Sequence, residues 1–210
     1  GKDVLFTCLS SGISSTINNA FVCKEEMQEK YPDAEICVFD SICASGGHGL
    51  LIYHAIENKK KGMSVKENMQ ALEELKHRIV HKFTVDDLTY LQRGGRISKT
   101  AAVIGGMIQL KPVLHVDTEG RLAAESKVRG RKKALNQLLA EMDICTGSYA
   151  DKQDVVLICH ADCPEDAEYV RAKVEEKYHP NKIIMSEVGP IVGAHVGPGT
   201  MVLIFEGDKR

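Results

Sequence analysis

Apolar residues follow two spacings along this chain, and the spacing changes in step with turn residues. Residues 4–9 (VLFTCL) and 36–39 (ICVF) are short, nearly continuous apolar runs between polar loops. Runs of this kind predict strands, and the first suits a parallel strand covered on both faces. Between them, residues 16–30 predict a helix with Ser14 or Ser15 as N-cap. Ala44-Ser45-Gly46-Gly47 opens a second helix that runs to Lys61. A third begins at Ser64, where Ser64-Val65-Lys66-Glu67 fits a capping box. Val65, Met69, Leu72, Leu75 and Ile79 keep its helical spacing. A strand over residues 82–85 follows.

Residues 84–116 organise the rest. They carry an acidic turn at Asp86-Asp87, a short helix and an Arg93-Gly94-Gly95-Arg96 knuckle. A small-residue segment over 101–107 and a strand entered through Pro112 complete the stretch. Beyond it, residues 113–116 and 122–125 flank Asp117-Thr118-Glu119-Gly120, the pattern of a hairpin with a four-residue loop. A basic helix over 130–142, a strand over 155–159 and a helix over 164–178 follow, the last with Pro164 in its first turn. A strand over 183–187, a glycine-rich loop over 189–200 and a strand over 201–205 end the chain. This order predicts two α/β lobes, residues 1–83 and 84–210, with residues 84–116 as hinge. Clefts between lobes are favoured ligand sites.

Composition narrows the function classes. The 210 residues are 43% hydrophobic and 27% charged, which is globular, and a formal net charge of -2 gives no case for nonspecific nucleic-acid binding. No apolar run reaches the roughly 20 residues of a membrane span. Seven cysteines without a CxxC pair predict reduced thiols and a cytoplasmic protein. The opening GKDVLFTCL has no signal-peptide pattern and lies within a strand from its start, as in a fragment.

Three polar loops are candidates for chemistry. Ser10, Ser11 and Ser14 lie in a loop that joins a strand to a helix. There backbone N–H groups and the helix dipole favour an anion, and simple capping is the competing reading. No G-x-S-x-G elbow marks a nucleophile. The second loop, residues 189–200, sets four glycines and two prolines around His195. Its glycines permit close backbone approach, while a lone histidine is often structural. The third is a basic set: Arg93, Arg96, Lys127, Arg129, Arg131, Lys132 and Lys133. It reads either as a solvated face or as a phosphate or acidic-partner surface. Cys159, His160 and Cys163 lack a second pair at zinc spacing, so neither metal nor other cofactor is expected.

The residues also resemble a known family. Leu9 to Thr16 (LSSGISST) is similar to the LSSxLSGT loop of DegV proteins. Asp40-Ser41 with Ala44-Ser45-Gly46, then Asp87-Leu88 with Tyr90-Leu91, resemble further motifs of that family. Arg93-Gly94-Gly95-Arg96-Ile97-Ser98, Lys111-Pro112, Lys127-Val128-Arg129 and Gly193 with His195 to Thr200 complete the order across the chain. The resemblance implies a two-domain α/β fold, a partial parallel-sheet three-layer lobe followed by a two-layer α/β lobe. It implies a long-chain fatty acid held between the lobes by the acyl-carrying subunit of a bacterial fatty acid kinase, active in phospholipid metabolism. A separate dihydroxyacetone-kinase-like ATP-binding subunit would phosphorylate the carboxylate. On the matching positions, Ser11, beside Ser10, takes the carboxylate. His195, with Gly197 and Gly199 of its loop, takes the acyl-phosphate head. Arg96 and Arg129 serve the phosphorylated end or the kinase surface. Ile104, Met107 and Ile108 would line the acyl tail.

Two departures matter. Ser15 stands where the family's SGT has Gly. The family also has a preceding segment with a strand and a Thr-Ser-x-Pro loop, which this sequence lacks; an open sheet edge and self-association through it are expected. Two other classes remain in play. One is an acyl hydrolase or transferase with Ser11 as nucleophile and His195 as base, which needs a Ser–His hydrogen bond. The other is a regulatory module without a ligand.

Overall fold

The computed structural model describes residues 2–98 and 110–210, and the elements below are those of the described residues. Two apolar runs form a small parallel sheet of β1 (Val4–Cys8) and β2 (Ile36–Asp40), in register from Val4 opposite Ile36 to Cys8 opposite Asp40. Parallel neighbours need a crossover, and α1 (Thr16–Lys30) supplies it. Val4 and Phe6 remain 46% and 40% exposed, and β2 is the only strand paired with β1 among the described residues.

Next come α2 (Ser45–Lys60) and α3 (Val65–Leu75). The capping box at Ser64 is formed: its hydroxyl accepts from Glu67 N at 3.3 Å, and Glu67 Oε2 accepts from Ser64 N at 2.8 Å. The remaining strands form one six-stranded sheet in the order β5-β4-β3-β8-β6-β7. They are β3 (Ile79–Thr84), β4 (Leu110–Val116), β5 (Leu122–Arg129), β6 (Val155–His160), β7 (Lys182–Glu187) and β8 (Met201–Glu206). Only β6 and β7 run parallel; the other four pairs are antiparallel.

Period-two alternation gives this sheet two apolar faces. Ile79, Phe83, Leu157 and Ile204 pack with Leu50, Leu51 and Leu72 on the side of α2 and α3. Val80, Val156, Ile158, Leu203 and Phe205 pack on the other side with Leu138 and Met142 of α5 (Arg131–Thr146) and Val170 and Val174 of α6 (Pro164–Tyr178). The whole is mixed α/β, as expected.

Three expectations need correction. The third helix stops at Leu75 and is followed by a 3-10 turn over Lys76–Arg78, so Ile79 opens β3 despite its helical spacing. Pairing of the whole strand with β8 overrides the local period. The stretch expected as hinge begins at Thr84, the last residue of β3, a central strand of the large sheet. The hairpin strands are longer than expected, with Val116 opposite Leu122 and an irregularity between Val113 and Leu114. The glycine-rich stretch is not all loop. Pro190–Val196 is a short helix, α7, with Gly189 at its N-cap and Pro in its first turn. α4 (Thr89–Arg93), beside it, carries the knuckle at its end.

Candidate functional site

The serine loop is shaped from within. Ser10 is fully buried, its hydroxyl accepts from Gly12 N at 3.0 Å, and its carbonyl accepts from Ile13 N and Ser14 N. The tip of the β4–β5 hairpin presses on it: a Cβ at Gly120 would lie 1.9 Å from Ser10 Oγ, and one at Gly12 would lie 2.7 Å from the Glu119 carbonyl oxygen. Gly120 also has φ +75, so glycine is required there on two counts. Ser11 is exposed, with its N–H donated to Asp40 Oδ1 at 3.1 Å. Ser15 is the N-cap of α1 without a side-chain bond, while Ser14 Oγ accepts from Thr16 N at 3.3 Å.

Between this loop and the large sheet lies a cavity of about 160 Å³. That is roughly ten times the space one water requires. Leu9, Ile13 and Ser14 of the serine loop form one wall, and Phe83, Val116, Leu122 and Val202 of the sheet form the floor. Val188, Ile191, Val192 and Val196 close the side at α7. Ala44 and Ser45 contribute from the start of α2, and Leu91, Arg96, His195 and Thr200 gather at the knuckle. Among the described residues, no Asp or Glu lines it.

The polar groups on this wall differ in what they have left to offer. Thr200 is fully buried and its hydroxyl reaches the Val196 and Gly197 carbonyls at 3.0 and 2.9 Å. Ser45 is hydrogen-bonded to Cys159, whose pKa is raised chiefly by burial. His81 Nε2 accepts from Ala44 N at 3.3 Å, and burial, with the Arg210 charge behind it, pushes its pKa down to about 3. His81 is therefore neutral at physiological pH. His195 Nδ1, like His81 Nδ1, is buried and has no hydrogen-bond partner among the described residues. The ring lies directly on the knuckle, where a Cβ at Gly94 would come within 2.1 Å of Nδ1. Arg96 donates one bond to the Gly94 carbonyl and has no carboxylate partner among the described residues.

The residues singled out in the sequence therefore divide. His195 and Arg96 meet in the cavity wall. Ser10 and Ser11 lie just outside it, in the loop whose Ile13 and Ser14 line it. Gly197 and Gly199 do not line it. Both have positive φ and let the loop close on Tyr90 and Asp86, where a Cβ would lie 2.6 and 2.5 Å from those side chains. Arg129 is exposed at the end of β5, opposite Leu110. Ile104, Met107 and Ile108 lie outside the described residues. Ser14, named with the serine loop, does line the cavity, whereas Ser45, His81 and Thr200 were not singled out. Ser45 and Thr200 sit within the quoted motifs, whereas nothing local marks His81.

The described residues hold no group of three or more His, Cys, Asp or Glu side chains placed to bind a metal. None of their helices is long and apolar enough to cross a membrane. No hydrogen bond joins Ser11 to His195 among the described residues.

Comparison with known proteins places this geometry. The model of the DegV family, whose members it describes as uncharacterised proteins, matches residues 1–208. The chain belongs to the DegV family. A DegV domain-containing protein of Clostridium perfringens is 40% identical over all 210 residues, which span 72% of that relative. A Thermotoga maritima protein, described as revealing a fatty acid binding function, superposes at a TM-score of 0.81 with 28% identity, over 97% of this chain and 68% of that one. The Streptococcus pneumoniae fatty acid kinase B3 protein loaded with linoleic acid reaches a TM-score of 0.91 at 21% identity, over 99% of this chain and 73% of that one. At that identity the likeness carries the DegV fold alone.

Proposed function

We propose that this chain binds a long-chain fatty acid, with the acyl tail along the apolar cavity wall and the carboxylate at Arg96, His195 and the serine loop. The observation that carries the proposal is the pairing of an acid-free apolar cavity with a cation and a buried, unpartnered ring nitrogen. A carboxylate would satisfy Nδ1 in its protonated tautomer and lie beside the guanidinium. The Thermotoga maritima relative, at 28% identity, supports the same ligand class.

We further propose that the chain does not transform this ligand but presents it to a separate, dihydroxyacetone-kinase-like ATP-binding subunit. There a carboxylate oxygen would bond to the γ-phosphorus as the bond to ADP breaks. Residues 84–116 would join the two lobes, with β3 counted in the second. Arg129, outside the cavity, would face the phosphoryl group or the kinase, whereas Arg96 would serve both ends.

Mass spectrometry of lipid extracted from the purified protein tests the ligand. A co-purifying free fatty acid is expected; an acyl-serine adduct would point to a hydrolase, and a lipid-free protein with no affinity for fatty acid to a regulatory module. Arg96→Gln is expected to weaken both binding and kinase-coupled phosphorylation, each by about tenfold or more, the size of a lost charge-assisted hydrogen bond. Arg129→Gln should depress phosphorylation alone. A loss of binding in Arg129→Gln would contradict that division.

Gly94→Ala probes the histidine separately. The φ of Gly94 is -69°, which alanine accepts, so the fold should survive. The new methyl displaces the His195 ring, and fatty-acid affinity should fall by about 1–3 kcal/mol. Calorimetric titration showing wild-type affinity would remove His195 from the site.

A further inference from the structure

The serine loop is tied to the neighbouring strand end by one carboxylate. Asp40, the last residue of β2, stands opposite Cys8, the last of β1, so both following loops leave the same end of the parallel sheet. Ligands in α/β folds gather at such strand ends. A single atom, Asp40 Oδ1, accepts from Ser11 N at 3.1 Å and from Ile42 N at 3.0 Å. Backbone bonds flank it, with Ser10 N donating to Cys43 O at 2.9 Å and Ser41 N to Cys8 O at 3.4 Å.

The second loop is unusual in conformation. Ile42 has φ 45 and Ser45 has φ 46. A β-branched residue in the left-handed region is an outlier that the surroundings must hold. Asp40 holds Ile42 by its N–H, and the backbone of Gly120 closes over its Cα. The segments on either side of this clasp supply Leu9, Ile13 and Ser14, and Ala44 and Ser45, to the cavity wall.

We propose that Asp40 is a positioning residue for the head group: it fixes the serine loop and the strained turn before α2 relative to each other, and so sets the donors a carboxylate meets. This rests on the fatty-acid reading above. Asp40 itself does not line the cavity, so its effect should be selective. It should matter for a ligand whose head group uses the loop and not for one that uses only the apolar wall.

The test is calorimetric titration with oleate and with oleyl alcohol, alongside thermal melts to confirm folding. Asp40→Ala is expected to raise the Kd for oleate by about tenfold, on the order of one charge-assisted hydrogen bond, and to leave oleyl alcohol unchanged. Asp40→Asn keeps an acceptor oxygen and should recover most of the loss. Should Asp40→Ala not fold, Asp40→Glu keeps the carboxylate but displaces it by one methylene, and the same selective loss is expected. Equal weakening of both ligands, or unchanged oleate binding, overturns the assignment. Wild-type protein that does not distinguish oleate from oleyl alcohol overturns the head-group reading as well, and so separates the two failures.

Discussion

Lys82→Ala is expected to destabilise the protein by about 3–5 kcal/mol, the range for breaking a buried ion pair from one side. Lys82 is 1% exposed in the middle of β3, and its Nζ lies 2.8 Å from each oxygen of Glu125. Glu141 of α5 stands 3.7 Å away and is itself buried, with Gln137 as its other partner. Removing the ammonium leaves two carboxylates facing each other under α5, one of them out of water. Urea unfolding at neutral pH measures the loss, and an unchanged m-value shows that the native state has not loosened. A triple change, Lys82→Met with Glu125→Gln and Glu141→Gln, should recover most of it, because the pair as a whole is worth far less than its uncompensated half. A cost below about 1 kcal/mol for Lys82→Ala would mean that water reaches these carboxylates. The consequence for function follows from strand geometry. His81 and Phe83, the neighbours of Lys82, point to the other face and line the cavity. The ion pair therefore anchors the cavity floor from behind, and ligand affinity in the folded variant should stay close to that of the parent.

Lys82 also shows where sequence reading reaches its limit. Elements with a strong local signature were legible: the capping box at Ser64, the Pro164 start of α6 and the Thr16–Lys30 helix all lie where the pattern puts them. The central strand β3 was the hard case. Its sequence IVHKFT has a lysine and a histidine among apolar residues, so the strand reads as shorter and more marginal than it is. Both polar side chains are buried because partners distant in sequence receive them: Glu125 for Lys82, and Ala44 N–H for His81. Such partners are invisible until the sheet order is known. The site divides in the same way. His195 and Arg96 sit in conspicuous glycine-rich motifs and meet in the cavity wall. The glycines around them act less directly than the motif suggests, since Gly197 and Gly199 shape the loop against Tyr90 and Asp86. The helix inside residues 189–200 was hidden because four glycines in twelve residues oppose helix propensity. Gly189 at the N-cap, Pro190 in the first turn and Gly197 at the C-cap place those breakers at its ends, leaving only Gly193 inside.

Lowering the pH from 7 to 5 is expected to cost the protein about 2 kcal/mol through His81 alone. Its pKa is about 3 in the folded state against 6.5 for an ordinary histidine, so the unfolded chain takes up a proton that the native state refuses. Stability from this group is complete above the unfolded pKa and falls, as pH drops below about 6.5, by up to about 1.4 kcal/mol per unit. His48, His54 and His115 are shifted in the same direction, each mainly by burial, and steepen the fall. Asp87 and Asp117 have lowered pKa values, so their contribution is lost only in the more acid range where carboxylates protonate. Urea unfolding at pH 7, 6 and 5 gives the slope. His81→Gln removes the titrating group while keeping an acceptor for Ala44 N–H. Whatever its absolute stability, its slope between pH 6 and 5 should be shallower than wild type by close to one proton. An identical slope would show that His81 is protonated in the folded protein, and hence that water enters beside Ala44. Because His81 forms part of the cavity floor, a ligand that fills the cavity should oppose its protonation. Saturating fatty acid should then raise stability at pH 5, by mass action on the folded state.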